Sequence, residues 1–143
     1  MTTPEENAAT VRELIQRTLN EGDIAYAEKV LSDDYVEQSP MPGGTADKAG
    51  AIAMFQMMRQ MTPDMRIEVE DVIASGNKVA ARSTMHGTDT EGFMPGMEAT
   101  NKPFAMGAID VFTFDEDGMN TEHYGVYDIA GTMAQLGLTP PPS

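Results

Sequence analysis

The chain contains no cysteine, only two histidines, and 9 basic residues against 23 acidic ones. Without cysteine, disulfides, thiolate metal sites and a cysteine nucleophile are excluded. Two histidines far apart in the sequence also argue against a structural zinc site, and no metal is expected. A formal net charge of −14 argues against partners held through phosphates, nucleic acid and anionic membranes among them. No apolar run approaches the roughly 18 to 20 residues that span a bilayer, and the opening MTTPEENAAT lacks the basic and apolar regions of a signal peptide. A soluble cytoplasmic protein is the expectation.

With 143 residues, 41% of them apolar, the chain is long enough for one real core and too short for two, so residues 1–143 are read as one domain. Thr3, Pro4 and Glu6 form a helix start: a capping threonine, proline at the first helical position and glutamate three residues after the cap. Val11, Leu14, Ile15 and Leu19 continue at helical spacing to Gly22, and a second helix begins at Asp23 with Ile24, Ala27, Val30 and Leu31 inward. SDDYVEQSPMPGG reads as a short strand or turn and a loop, and AIAMFQMMRQM as a third helix. From Met65 the pattern changes to alternation around Ser75-Gly76-Asn77, which predicts a pair of antiparallel strands. A loop rich in Gly, Met and Pro spans about Asp89 to Lys102. A long strand PFAMGAIDVFTF, the turn DEDG, the strand MNTEHYGVYD and a closing helix IAGTMAQLG follow. Helices first and a meandering sheet after them make an α+β fold, with LTPPPS closing the chain as an extended tail, residues 139–143 of it beyond the domain's last element.

Alternation assigns each strand two sets of side chains. Asp110 shares its face with Met106, Ala108, Phe112 and Phe114. A carboxylate among such neighbours is costly to ionise, which suits it to exchange protons near neutral pH; the alternative is a wet sheet end or a hydrogen bond from a buried Arg or Tyr. His123, Gly125 and Tyr127 form one face of the last strand, Glu122, Tyr124, Val126 and Asp128 the other. His123 titrates in the right range for proton transfer, although a lone histidine also serves as a structural hydrogen-bonder. Arg82, Thr84 and His86 alternate together; Arg82 either pairs with Asp110, fixes an anionic substrate group or lies on the surface. Tyr35 and Gln38 precede a turn and are candidates for a hydroxyl and an amide at a pocket mouth. Phe93, Met94, Met97 and Met106, with the methionines of the third helix, can line a soft apolar pocket.

The runs VAARSTMHGT, GFMPGMEATNKPFAMGAIDVFTFDEDG and TEHYGVYDIAGTMAQLG resemble the SnoaL-like polyketide cyclases, within the superfamily that shares the fold of nuclear transport factor 2. The similarity covers roughly Val11 to Leu138. It implies a cone-shaped α+β barrel, with N-terminal helices packed on a strongly curved mixed or antiparallel sheet around an apolar cavity, and a homodimer. It also implies acid-base chemistry on a hydrophobic polyketide-like carbonyl compound or ester without a cofactor: deprotonation next to a carbonyl, then aldol-type ring closure or isomerisation. In many relatives the last strand carries an aromatic residue followed by the catalytic Asp, whereas here Tyr124 is followed by Gly125. Matching that position turns His123, Gly125 and Tyr127 inward, with Arg82, Thr84 and Asp110 on the inward faces of their strands. The carboxylate would then have crossed to Asp110, with His123 as its catalytic partner and Tyr35, Gln38, Arg82, Thr84, Phe93, Met97, Met106 and Tyr127 as substrate-binding residues. Related epoxide hydrolases use an Asp-Arg-Asp set that this chain lacks. The alternatives are a binding protein of the same fold that lost its chemistry with the Asp at position 125, and a dimerisation module with a filled cavity.

Overall fold

The computed structural model describes residues 1–138; the tail expected over 139–143 lies outside the described residues. The element order is α1 (Pro4–Glu13), a π-helical continuation (Leu14–Asn20), α2 (Ile24–Val30), β1 (Leu31–Glu37), α3 (Lys48–Met61), β2 (Arg66–Ser75), β3 (Lys78–Thr88), β4 (Pro103–Phe114), β5 (Asn120–Tyr127) and α4 (Ile129–Gln135). Helix α1 begins where its cap predicts: the Thr3 side chain accepts from the Glu6 amide, and Pro4 opens the helix. Asp23, Asp47 and Asp128 cap α2, α3 and α4 in the same way, each through its carboxylate. The π segment was not anticipated. It widens the helix across Leu14, Ile15, Thr18 and Leu19, all of which are buried.

Five strands form one mixed sheet in the order β1-β5-β4-β3-β2. The three pairs from β2 to β5 are antiparallel, as the alternation and turns imply, and Gly76 (φ +58°) lies in the β2–β3 turn. β1 pairs in parallel with β5, the strand most distant from it in the chain. Leu31, expected as the last inward residue of α2, instead opens β1 and is still buried. Register shifts in β1, β2 and at the β4–β5 pair are places where a sheet bends. The sheet wraps the helices in the cone arrangement without closing, since β1 and β2 remain edges.

The core lies between the sheet's inner face and the helices, where Val11, Leu14, Ile15, Phe55, Val79, Ala81, Phe112 and Phe114 are among the buried residues. β3 buries Val79, Ala81, Ser83 and Met85. Phe114, 2% exposed, is the largest of the fully enclosed side chains. Phe114→Ala is expected to lower stability by about 3–5 kcal/mol, measured by urea denaturation, because the surrounding sheet cannot collapse into the vacated volume.

Candidate active site

Register brings three strands together at one point of the inner face. Asp110 on β4 lies directly opposite Gly125 on β5, and Phe112 opposite His123. On the other side of β5, Glu37 at the end of β1 is the register partner of His123. The imidazole is held between two carboxylates: Nδ1 is 2.9 and 2.7 Å from the two oxygens of Glu37, and Nε2 is 2.6 Å from Oδ1 of Asp110. The Phe112 ring lies against it, centroids 5.0 Å apart.

Both outer carboxylates have further donors. The Tyr35 hydroxyl donates to Glu37 Oε1 at 2.9 Å, and the Ser39 amide and hydroxyl donate to Oε2 at 3.2 and 3.1 Å. The Tyr127 hydroxyl donates to Asp110 Oδ1 at 3.2 Å, the oxygen that also takes the His123 bond. Oδ2 of Asp110 has no hydrogen-bond partner among the described residues. Asp110 lines a cavity of about 60 Å³ with Tyr35, Met85, Met106, Phe112 and Tyr127.

Burial works against a charged ring at His123, but the hydrogen bonds and negative charges of Asp110 and Glu37 outweigh it and lift its pKa to about 9. Burial likewise raises Glu37, and the bond and charge of His123, with the Tyr35 and Ser39 bonds, more than reverse this and hold it below the usual carboxylate value. At neutral pH the His123 ring is therefore an imidazolium, with both N–H groups donating. Tyr35 and Tyr127 are raised well above the ordinary phenol value, first by burial and then by the adjacent carboxylates, so both hydroxyls keep their protons and act as donors.

Gly125 has a steric explanation. A Cβ there would stand 2.5 Å from the Tyr127 hydroxyl oxygen and 2.7 Å from Asp110 Oδ1. Its amide donates to the Ser39 hydroxyl at 2.9 Å. The position has no room for a side chain while Asp110 and Tyr127 meet in front of it.

Of the residues singled out in the sequence, Tyr35, Met106, Asp110, His123 and Tyr127 meet around this cavity. Arg82 and Thr84 do not: the inward placement is corrected, because the β3–β4 register pairs Arg82 with the outward Ile109. Arg82 forms an exposed ion pair with Asp71 at 2.7 Å, and the Thr84 hydroxyl bonds to Glu70. His86, on the same outer face, lies 3.5 Å from Glu68. Gln38 also lies outside, donating to Glu122 at 2.8 Å, because it is three residues from the inward Tyr35 and has the opposite parity. Phe93 and Met97 belong to a loop whose ends are clasped at Asp89 through the Thr100, Asn101 and Lys102 backbone; Phe93 packs edge-on against Phe104, and neither residue lines the cavity. Glu37 and Ser39 were missed. The signal was available, since Glu37 follows Tyr35 by two and so shares its face.

Among the described residues, no group of three or more His, Asp or Glu is placed to hold a metal ion, and no helix is long and apolar enough to cross a membrane. The fold and site together define an open α+β cone with a histidine held between two carboxylates at a mainly apolar cavity. The chain belongs to the SnoaL-like polyketide cyclase family, whose model matches residues 9–136. Solved structures agree. TsrD from Streptomyces laurentii is 26% identical, with 91% of this chain and 96% of that one covered and a TM-score of 0.78. IdmH from Streptomyces antibioticus, a proposed polyketide cyclase, is 27% identical over 95% of this chain and 99% of its own, with a TM-score of 0.76. AclR from Streptomyces galilaeus, a proposed hydroxylase, has a TM-score of 0.83 at 23% identity, over 99% of this chain and 91% of that one, and bears on the fold alone. No curated protein matches the chain significantly.

The charge state of His123 sets a pH dependence. Below the ordinary histidine value of 6.5 the ring is protonated in folded and unfolded chains alike, and its stabilisation is fully present. As pH rises beyond that, only the folded chain keeps the proton, and the contribution, on the order of 3 kcal/mol, is gone above about 9. The lowered carboxyl of Glu37 has the opposite sign: its contribution is lost as pH falls below the usual carboxylate range. An NMR titration should place the His123 midpoint near 9, and Glu37→Gln should bring it down; a midpoint at the ordinary value in the wild-type chain contradicts the ion-pair assignment.

Proposed function

We propose that the protein is a cofactor-independent cyclase or isomerase acting on a hydrophobic, polyketide-like carbonyl compound, with Asp110 as its acid-base group. The observation that carries this reading is the asymmetry of the Asp110 carboxylate. Oδ1 is committed to His123 and Tyr127, while Oδ2 has no partner among the described residues in a cavity lined mainly by apolar side chains. An anchored carboxylate with one uncommitted oxygen is suited to remove a proton from carbon next to a carbonyl.

In this reading Asp110 takes the proton, and the electrons of the broken C–H bond move into the conjugated carbonyls of the substrate as an enolate. The enolate carbon attacks a second carbonyl of the same molecule, forming the ring-closing carbon–carbon bond and leaving an alkoxide. Protonated Asp110 returns its proton to that oxygen, or to a different carbon in an isomerisation, so the enzyme ends as it began. His123, both N–H groups engaged, is not the base. It holds Asp110 in place and keeps a positive charge beside the developing anion. Glu37 orients His123, and Tyr35 and Ser39 orient Glu37.

A second reading, a binding protein without chemistry, is favoured by Gly125, which stands where relatives carry their acid-base residue. Deuterium exchange separates the two. With a β-keto ester in deuterated water, exchange at the activated carbon is expected to be accelerated by the wild-type protein and to fall by about 100-fold or more in Asp110→Asn, in line with the loss of a general base. Ester binding without any acceleration would favour the binding protein.

We also propose that the protein works as a homodimer joined through the outer face of the sheet. Ile73, Ile109, Tyr124 and Val126 project there, each at least 49% exposed, and Ile109 lies directly beside Val126 across the β4–β5 pair. The double variant Ile109→Lys, Val126→Lys is expected to sediment as a monomer where the wild-type chain sediments as a dimer. A wild-type chain already monomeric at micromolar concentration would end this proposal.

A further inference from the structure

The cavity at Asp110 is small for the chemistry proposed. At about 60 Å³ it has room for about two water molecules of ~30 Å³ each, whereas sites for small organic molecules run to roughly 300–1,000 Å³. A larger space adjoins it. Between α3 and the loop that follows β1 lies a cleft of about 390 Å³, walled by Pro40, Met41 and Pro42 on one side and by Ala49, Ala53 and Met57 on the other. Glu37 and Met54 line both spaces, so the two share a partition made of these two side chains.

The halves of that partition differ in freedom. Glu37 is held by Tyr35, by two bonds from Ser39 and by His123, and cannot move without breaking the ion pair. Met54 is half-buried, unbranched and free of polar commitments, and a methionine of this kind changes rotamer at little cost. Met54 is thus the movable half of the partition between the cleft and the cavity that Asp110 lines.

We infer that the cleft is the outer compartment of a single binding site, with Met54 as its gate, and that it receives the neutral aliphatic end of a carbonyl substrate whose reacting end lies at Asp110. This inference rests on the cyclase reading for what happens at Asp110 and on the cleft alone for what is bound. The chemistry of the walls selects the occupant. Among the described residues no lysine, arginine or histidine lines the cleft, so a carboxylate or phosphate would find no counter-charge there. Glu37, which lines the cleft, is already paired with His123, so a cation gains little from it. Methionine, proline and alanine side chains make most of the walls, with Thr45 and glycine backbone as the uncharged polar part, and leave an uncharged chain as the ligand that fits.

The test is the affinity of methyl 3-oxoalkanoates of increasing chain length, measured by titration calorimetry with the full-length protein. Once the alkyl chain passes Met54, each methylene placed in the cleft is expected to tighten binding by up to about fourfold, the worth of one buried CH₂. Ala53→Trp, at an exposed α3 position facing the cleft, should abolish that gain. Gln60→Trp, two turns further along the same helix and outside the cleft, should preserve it and shows that the helix tolerates an added indole. Affinity that does not grow with chain length in the wild-type protein, or a gain that survives in Ala53→Trp, would overturn the two-compartment site. A chain-length gain without deuterium exchange supports the cleft as a binding compartment while removing the cyclase chemistry, so the two proposals fail separately.

Discussion

The site depends on a positive charge held between two negative ones. Glu37 and Asp110 come from β1 and β4, the strands on either side of β5, and the protonated His123 of β5 joins them. Two carboxylates taken from water this close together would each be costly to bury and would repel one another; the ring between them offsets both effects and spends both its protons doing so. Removing His123 leaves two carboxylates facing each other without a counter-charge, and removing either carboxylate leaves one ring N–H without its acceptor in a largely buried place. The same interaction ties the parallel edge strand to the antiparallel body of the sheet, so the chemistry of the site and the local order of the sheet have a common origin.

The ion pair also accounts for the glycine in the last strand. Family resemblance leads to a carboxylate at position 125, on β5. Here the carboxylate stands on β4, at the residue directly across the strand pair, and its oxygen together with the Tyr127 hydroxyl fills the space a side chain at 125 would enter. A shift of one strand with no change in depth moves the acidic group only a few ångströms, since neighbouring strands lie about 5 Å apart. The cavity therefore has a carboxylate against the same wall, and a side chain at position 125 would have to displace the Asp110 oxygen and the Tyr127 hydroxyl that meet there.

Alternation and capping made much of the fold readable. The strands β2 to β5, the turn at Gly76 and the start of α1 at Thr3 follow from local pattern, because a period of two and a cap three residues long are properties of neighbouring residues. Asp110 was legible for the same reason: a charged residue among Met106, Ala108, Phe112 and Phe114 stands out on its own strand. Arg82 and Thr84 were turned the wrong way because the face was chosen from resemblance. Weighing Val79, Ala81 and Met85, the apolar set of the same strand, would have placed those three inside and Arg82 opposite Asp71 on the surface. Gln38 and Glu37 were exchanged through a similar question of parity, decided by Tyr35.

By itself the sequence determined the α+β class, the family resemblance, the alternate faces of each strand and the presence of an acid and a histidine able to share one of them. Only the tertiary structure decided that a glutamate 86 residues earlier in the chain would complete the group. That contact is made by the parallel pairing of β1 with β5, a meeting of segments with everything else in the sheet between them in sequence. Local periodicity carries no record of such a pairing, because it is settled by how the helices bury their apolar faces and bring the first strand back to the last.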